Sequence, residues 1–245
     1  MKKGLWKRLL FPPKCASCSA LIDWYEGTNG LCKNCLEQWE LAKRESCCIC
    51  GAAVSRCVCV TEEMKHAKCA DFRKLTFYYH ATRDRVQNRV LYAIKERRTA
   101  QTHLFLANEL LPHLRAVTEA VPDGDFCMVW LPRTREAKKK YGTDQAEELV
   151  RALSRVSGIP ALRALERAGG TVQKDLSATA RIKNAKASFA WNESADVRGK
   201  TVILVDDLVT TGAGMAAAAK LLRKHGAINV HCIAVASDDL NREIT

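Results

Sequence analysis

Long apolar runs are missing from this chain. Nothing approaches the ~18–20 consecutive apolar residues that span a bilayer; the longest stretches are of the kind TVILV at 201–205 and MAAAA at 215–219, so stable membrane insertion is not expected. The opening MKKGLWKRLLFPP has the positive charge of an export signal, but only Leu9, Leu10 and Phe11 run together before two prolines, so the apolar stretch of such a signal is lacking and a cytoplasmic protein is expected. Neither Gly-x-x-x-x-Gly-Lys-Ser/Thr nor Gly-x-Gly-x-x-Gly occurs, which argues against a Walker loop and a dinucleotide turn. No internal repeat or low-complexity tract is present. Acidic residues are in deficit: 27 Asp and Glu face 39 Lys and Arg, a net charge of +12 that favours anionic partners. What is present, 47% hydrophobic and 27% charged residues over 245 positions, suffices for one or two globular domains and excludes wholesale disorder.

Cysteine is distributed unevenly. Ten of the twelve cysteines lie between Cys15 and Cys69, and only Cys127 and Cys232 lie beyond. They come as close pairs: Cys15 with Cys18, Cys32 with Cys35, Cys47 or Cys48 with Cys50, and Cys57 with Cys59. In KCASC, twelve residues, then LCKNC, each CxxC turn presents two thiolates to one side, and two such turns close a tetrahedral four-sulfur shell. CCICG followed by RCVC repeats the logic with a tighter CxC, and Cys47 fits the CxxC spacing better than Cys48. The set predicted to hold one or two zinc ions is therefore Cys15, Cys18, Cys32 and Cys35, then Cys47, Cys50, Cys57 and Cys59. An iron–sulfur cluster or spare reduced thiols are the competing uses of such pairs. An all-sulfur shell leaves no open coordination position, so the expected zinc is structural, supplying folding free energy to a segment with few large apolar side chains. His66 lies outside both quartets and Cys69 is unassigned.

A different chemistry begins at Lys200. KTVILVDDLVTTGAGMAAAAKLLRKHGAINVHCIAVA passes from a β-branched run to small helix-favouring residues near Met215 and back, predicting strand, loop, helix, strand. Arg223, Lys224 and His225 suit a last helical turn, with Gly226 as its cap. Gly212 and Gly214 let the loop wrap an anion beneath the helix N-terminus, while Thr210 and Thr211 add hydroxyl donors. Asp206 and Asp207 would repel a phosphate but suit a ribose diol or a magnesium shell displaced from it. Diol and phosphate together indicate a phosphoribose. Upstream, FCMVWLP at 126–132 reads as a buried strand, followed by five cations in eight residues, Arg133, Arg135 and the lysines 138–140, which at a neighbouring strand end can neutralise a pyrophosphate. A helix follows with Ala146, Leu149, Val150 and Leu153 on one face. FYYH at 77–80 reads as a strand, and RDRVQNRVLYAIKERR as a helix with Val86, Val90, Leu91 and Ile94 on its apolar stripe. Its other face offers Arg83, Arg85, Arg89, Lys95, Arg97 and Arg98 among Tyr78, Tyr79 and Tyr92, a pattern that can track single-stranded nucleic acid or simply be solvated.

The segment VILVDDLVTTGAG resembles the phosphoribosyl-pyrophosphate (PRPP) signature of type I phosphoribosyltransferases: four apolar residues, an acidic pair and a Thr/Gly loop. Gly214 stands where that family usually carries Ser or Thr. A wider resemblance, to the ComF family of competence-associated proteins that join a cysteine-rich ribbon to this domain, rests on LPR at 131–133, YGTDQA at 141–146, Thr171 and Gln173, Leu176-Ser177, Arg181, Asn184 and Phe189, in that order. Tyr141 replaces an expected Arg, and Thr143-Asp144 replace Phe-Asn. The resemblance implies a type I phosphoribosyltransferase-like α/β fold, a doubly wound and mostly parallel sheet over 71–245, preceded by a double zinc ribbon over 1–70. It implies PRPP bound with Mg²⁺, its 5′-phosphate on Thr210, Thr211, Gly212, Ala213 and Gly214, its diol on Asp206 and Asp207 at the catalytic centre, and its pyrophosphate on Arg133, Arg135 and Lys138. The Thr171 to Arg181 stretch corresponds to a hood that closes over the ligand. The implied setting is DNA uptake in natural competence, with single-stranded DNA and competence proteins as partners. The alternatives are a purine- or pyrimidine-type phosphoribosyltransferase of nucleotide salvage, and a single-stranded DNA or partner-binding module without turnover.

Overall fold

Alternation along the strands divides the core in two. Cys127, Val129 and Leu131 face one hydrophobic cluster while Met128 and Trp130 face another, and Val202 and Leu204 alternate with Ile203 and Val205 in the same way, as do Cys232 and Ala234 with Ile233. A strand buried on both faces reads as a continuous apolar run, which is why TVILV and CIAVA contain so little polar residue. The computed structural model describes residues 12–22, 30–96, 100–134, 138–139, 142–167 and 189–238. Its main sheet has the order β1-β7-β6-β2-β3, from β1 (Phe72–Tyr78), β2 (Phe126–Trp130), β3 (Ala161–Leu162), β6 (Thr201–Val209) and β7 (Asn229–Asp238), and every pairing in it is parallel. A separate antiparallel pair, β4 (Leu165–Arg167) with β5 (Phe189–Trp191), brackets residues 168–188.

One face is covered by α3 (Val86–Glu96), α4 (Ala100–Ala120) and α5 (Gln145–Ser157), which bring Val90, Leu91, Ile94, Leu106, Leu110, Leu114, Leu149 and Val150 into the first cluster. The other face is covered by α6 (Ala213–Lys224), with Met215, Ala218, Ala219 and Leu222 in the second cluster. The stripe Val86, Val90, Leu91 and Ile94 on α3 is buried as the spacing requires. The first strand differs from expectation: it is not 77–80 but Phe72–Tyr78, because β7 offers ladder partners from Cys232, opposite Phe72, to Asp238, opposite Tyr78. Helix α4 is absent from the sequence reading altogether. Its buried positions include Thr102, His103, Phe105, Leu106, Ala107 and Leu110, too wide a stripe for a clear amphipathic period, and Pro112 sits inside it.

The cysteine-rich part folds onto the first cluster. Its α1 (Lys33–Ala42) buries Trp39 edge-on against Phe105 of α4, with ring centroids 5.6 Å apart, while the indole Nε1 donates to Glu109 Oε2 at 2.7 Å. Lys43 Nζ reaches the same carboxylate at 2.8 Å. Cys15 and Cys35 belong to that continuous cluster. A short helix, α2 (Glu62–His66), instead packs Met64 against α6 in the second cluster. Among the described residues no helix is long and apolar enough to cross a membrane.

Candidate functional site

The order of strands marks the place for a ligand. From β2 the chain proceeds to β3 on one side, and from β6 it proceeds to β7 on the other, so the connections diverge at the β2–β6 seam. In open parallel sheets the crevice at the carboxyl ends of two such strands is where ligands bind. Leu131, Pro132 and Arg133 leave β2 there, and Asp206 to Gly212 occupy the corresponding end of β6.

The structure keeps both acids in β6, which runs on to Val209 because β7 pairs with Leu208 and Val209 through Ala236 and Ser237. The connection to α6 is thus only Thr210, Thr211 and Gly212. Both threonines are exposed. Gly212 is the residue before the helix and takes φ 81°, a left-handed conformation that favours glycine. It offers no side chain to cap α6, and Thr211 Oγ1 accepts from the Ala213 amide at 3.3 Å. An N-terminus so arranged presents amides and positive dipole to an anion. Gly214 lies in the first turn of α6, where an added Cβ would meet Leu131 Cδ2 at 3.4 Å, so small side chains fit there.

The acids differ in surroundings. Asp207 is 6% exposed, and its Oδ2 accepts from Arg133 at 2.7 Å, with Lys95 Nζ 3.9 Å away. Burial and the neighbouring Asp207 carboxylate push Asp206 well above the usual carboxylate range. Two adjacent carboxylates at a buried strand end are costly unless cations attend them, and their hard oxygens suit Mg²⁺. Asp144, just before α5, accepts from the Arg133 amide at 3.0 Å and from Lys138 Nζ at 3.1 Å. The structure therefore brings together Asp206, Asp207, Thr210 to Gly214, Arg133 and Lys138. Arg135, Lys140, Tyr141, the Thr171 to Arg181 segment and Asn184 lie outside the described residues.

The basic surface envisaged on α3 is largely engaged inside the chain. Arg85 pairs with Glu45 at 3.3 Å and lies over the Tyr79 ring, Arg89 donates to Ser17 Oγ at 2.7 Å, and Lys95 faces Asp207. Arg83 lies over the Tyr92 ring, whose hydroxyl meets that of Tyr78 at 2.8 Å. Arg97 and Arg98 lie outside the described residues.

Both cysteine quartets assemble. The sulfurs of Cys15, Cys18, Cys32 and Cys35 lie within 4.8 Å of one another, as do those of Cys47, Cys50, Cys57 and Cys59. Zn–S bonds of about 2.3 Å make a tetrahedron with edges of about 3.8 Å; the Cys18 and Cys32 sulfurs are 3.7 Å apart. The donor sets fit structural zinc. Cys48 is exposed and outside the second quartet, as its spacing predicts, and Cys69 packs in the second core cluster with Cys232. Sequence reasoning missed Lys74, a β1 residue only 4% exposed, whose Nζ is 3.3 Å from Cys57 Sγ.

Residues 126–243 match the family model described as the phosphoribosyl transferase domain. Competence protein ComFC of Bacillus subtilis is 32% identical over 109 residues, 44% of this chain and 43% of that protein. The ribose-phosphate pyrophosphokinase of a Nostoc species is 54% identical over 43 residues, 18% of this chain and 13% of that protein. Both matches thus span less than half of the relative's length. The crystal structure of adenine phosphoribosyltransferase from Leishmania tarentolae aligns over 61% of this chain and 76% of its own, with 13% identity and a TM-score of 0.39. The parallel sheet, its flanking helices and the matched domain make this a phosphoribosyltransferase-like α/β protein. The two four-cysteine groups before that domain and the similarity to ComFC fit the pattern of the ComF family.

Proposed function

We propose that the protein binds PRPP with Mg²⁺ at the β2–β6 seam and acts in DNA uptake. The observation that carries the reading is the run Asp206 to Gly214: an acidic pair and a threonine-lined helix start at one strand end, at the topological switch point. In this reading the 5′-phosphate rests on the amides of Thr211 to Gly214 and the hydroxyls of Thr210 and Thr211, and Asp206 and Asp207 hold the ribose diol. Mg²⁺ bound with the ligand would supply charge neutralisation to the pyrophosphate. Arg133, Arg135 and Lys138 offset the charge that develops on pyrophosphate when a nitrogen nucleophile displaces it at the anomeric carbon. Asp207 holds Arg133 at 2.7 Å, which keeps the guanidinium at the strand end where the pyrophosphate is proposed to lie. Zinc at the two cysteine quartets is structural, and the module boundary near residue 70 falls just before β1.

DNA uptake is supported by the similarity to a competence protein and by the charge of +12. Nucleotide salvage is the competing role for the same site. The test is titration of zinc-replete protein with PRPP in the presence and absence of Mg²⁺, followed by assay for pyrophosphate release with purine and pyrimidine bases. Binding without release favours a role other than salvage, and salt-dependent affinity for single-stranded DNA supports the uptake reading.

A further inference from the structure

The left-handed Gly212 is hemmed in by a residue that follows directly on the cysteine-rich pairs. A Cβ at Gly212 would lie 2.3 Å from Thr61 Oγ1 and 3.1 Å from Thr61 Cγ2. Thr61 therefore fills the space beside the phosphate loop. It is held there from both sides. Cys59, two residues before it, is a member of the second cysteine quartet, and Val60 packs on the second core cluster. After it, α2 buries Met64 among Met215, Ala218, Ala219 and Leu222 of α6, and Arg223 of α6 donates to the Lys68 carbonyl at 2.6 Å. The hydroxyl also accepts from the Met64 amide at 3.4 Å, so it caps the short helix that packs on α6.

From this juxtaposition we propose that Thr61 is a positioning residue of the phosphate site: the second cysteine centre fixes Thr61, and Thr61 fixes the backbone of Gly212 and with it the amides offered to the anion. The cysteine-rich part is then a working wall of the ligand site as well as a folded appendage. The inference rests on the reading of residues 210–214 as a phosphate loop. It also accounts for glycine at 212 in two ways, since neither the backbone angle nor the neighbouring hydroxyl leaves room for a side chain.

The experiment is calorimetric titration with Mg-PRPP of zinc-replete wild type, Thr61→Ser, Thr61→Val and Thr61→Asp. Serine keeps the hydroxyl, valine keeps the shape without it, and aspartate keeps a good helix cap while setting a carboxylate beside the loop. Zinc content and melting of each variant are measured first. Affinity within about twofold of wild type is expected for Thr61→Ser, with losses of about tenfold for Thr61→Val and more for Thr61→Asp, the scale of one interaction that bears on a charged ligand. Wild-type affinity in both Thr61→Val and Thr61→Asp overturns the inference while leaving the PRPP site standing. Absence of Mg-PRPP binding in wild type overturns the functional reading and this inference with it.

Discussion

The Arg133 guanidinium and the Asp207 carboxylate meet at 2.7 Å across the seam between β2 and β6, joining the ends of two strands whose residues are 74 positions apart. Both side chains are mostly buried, so the pair is poorly screened. It offsets the charge of an acid that lies next to Asp206 in the strand. Arg133→Gln should cost about 1–3 kcal/mol, because Lys95 at 3.9 Å is a weaker partner for the orphaned carboxylate. Chemical denaturation measures this, and the same variant should bind Mg-PRPP at least tenfold more weakly. Unchanged stability would mean that Asp207 is content with Lys95.

Asp206 should trade stability for function. Its pKa in the folded protein is raised above the unfolded value by burial and by Asp207, so the folded state holds the extra proton. Its contribution is therefore favourable at low pH and deteriorates as pH rises from the ordinary carboxylate value through the folded one. Asp206→Asn removes that penalty, and should melt a few degrees higher at pH 7.5 by about 1–2 kcal/mol while losing Mg-PRPP affinity. Thermal melts at pH 5 and 7.5 check the sign: the gap over wild type should widen with pH.

His113 makes an opposite prediction. Buried in α4, with desolvation foremost and Arg73 and Lys43 nearby, it is lowered to about 4 from 6.5. The unfolded chain takes up the proton first, so the stability due to neutral His113 is complete above about pH 6.5 and is lost as pH falls towards 4. The full loss is roughly 3 kcal/mol. Comparing denaturant midpoints of wild type and His113→Gln at pH 7, 5.5 and 4.5 isolates it, since protonation of the cysteine thiolates is common to both proteins. Parallel curves would refute the assignment.

Lys74 should tune the second metal centre. Its ammonium is buried, and among the described residues no carboxylate lies within 4 Å; its contacts are Cys57 Sγ at 3.3 Å and the Phe72 ring at 4.8 Å. A buried cation needs a compensating anion, and four thiolates around Zn²⁺ carry net charge −2. Lys74→Met should leave both quartets formed but release zinc from the second at about tenfold lower chelator concentration, the first being unaffected. Two-step zinc release followed with a chromophoric chelator reads both centres at once.

What the sequence displays and what it hides follow from the range of the interactions. Both quartets were legible because CxxC and CxC place donors within a turn, and the tetrahedron closes with two turns. The run from Val202 to Gly214 was legible because strand end, acids, loop and helix start are contiguous. The far contacts were not. Lys74 looks like an ordinary strand lysine until the fold places Cys57 beside it, and Thr61 is an unremarked helix cap until α2 packs on α6. Lys95 reads in the sequence as part of a basic face that can track nucleic acid or be solvated, yet it turns toward Asp207. The strand reading of 77–80 failed because Phe77 and Tyr78 end β1, while its earlier residues, Arg73 and Lys74 among them, interrupt the apolar pattern for reasons of partnership. Helix α4 escaped because burial on a wide stripe erases the period that betrays a helix.

The most direct test of the account is calorimetric titration of zinc-replete protein with PRPP, with and without Mg²⁺, set beside the Asp206→Asn/Asp207→Asn double variant. The account predicts magnesium-dependent binding to one site per chain, lost in the double variant with zinc content and fold retained. Folded, zinc-replete wild type that takes up no PRPP, or a double variant that binds it as well as wild type does, would contradict it.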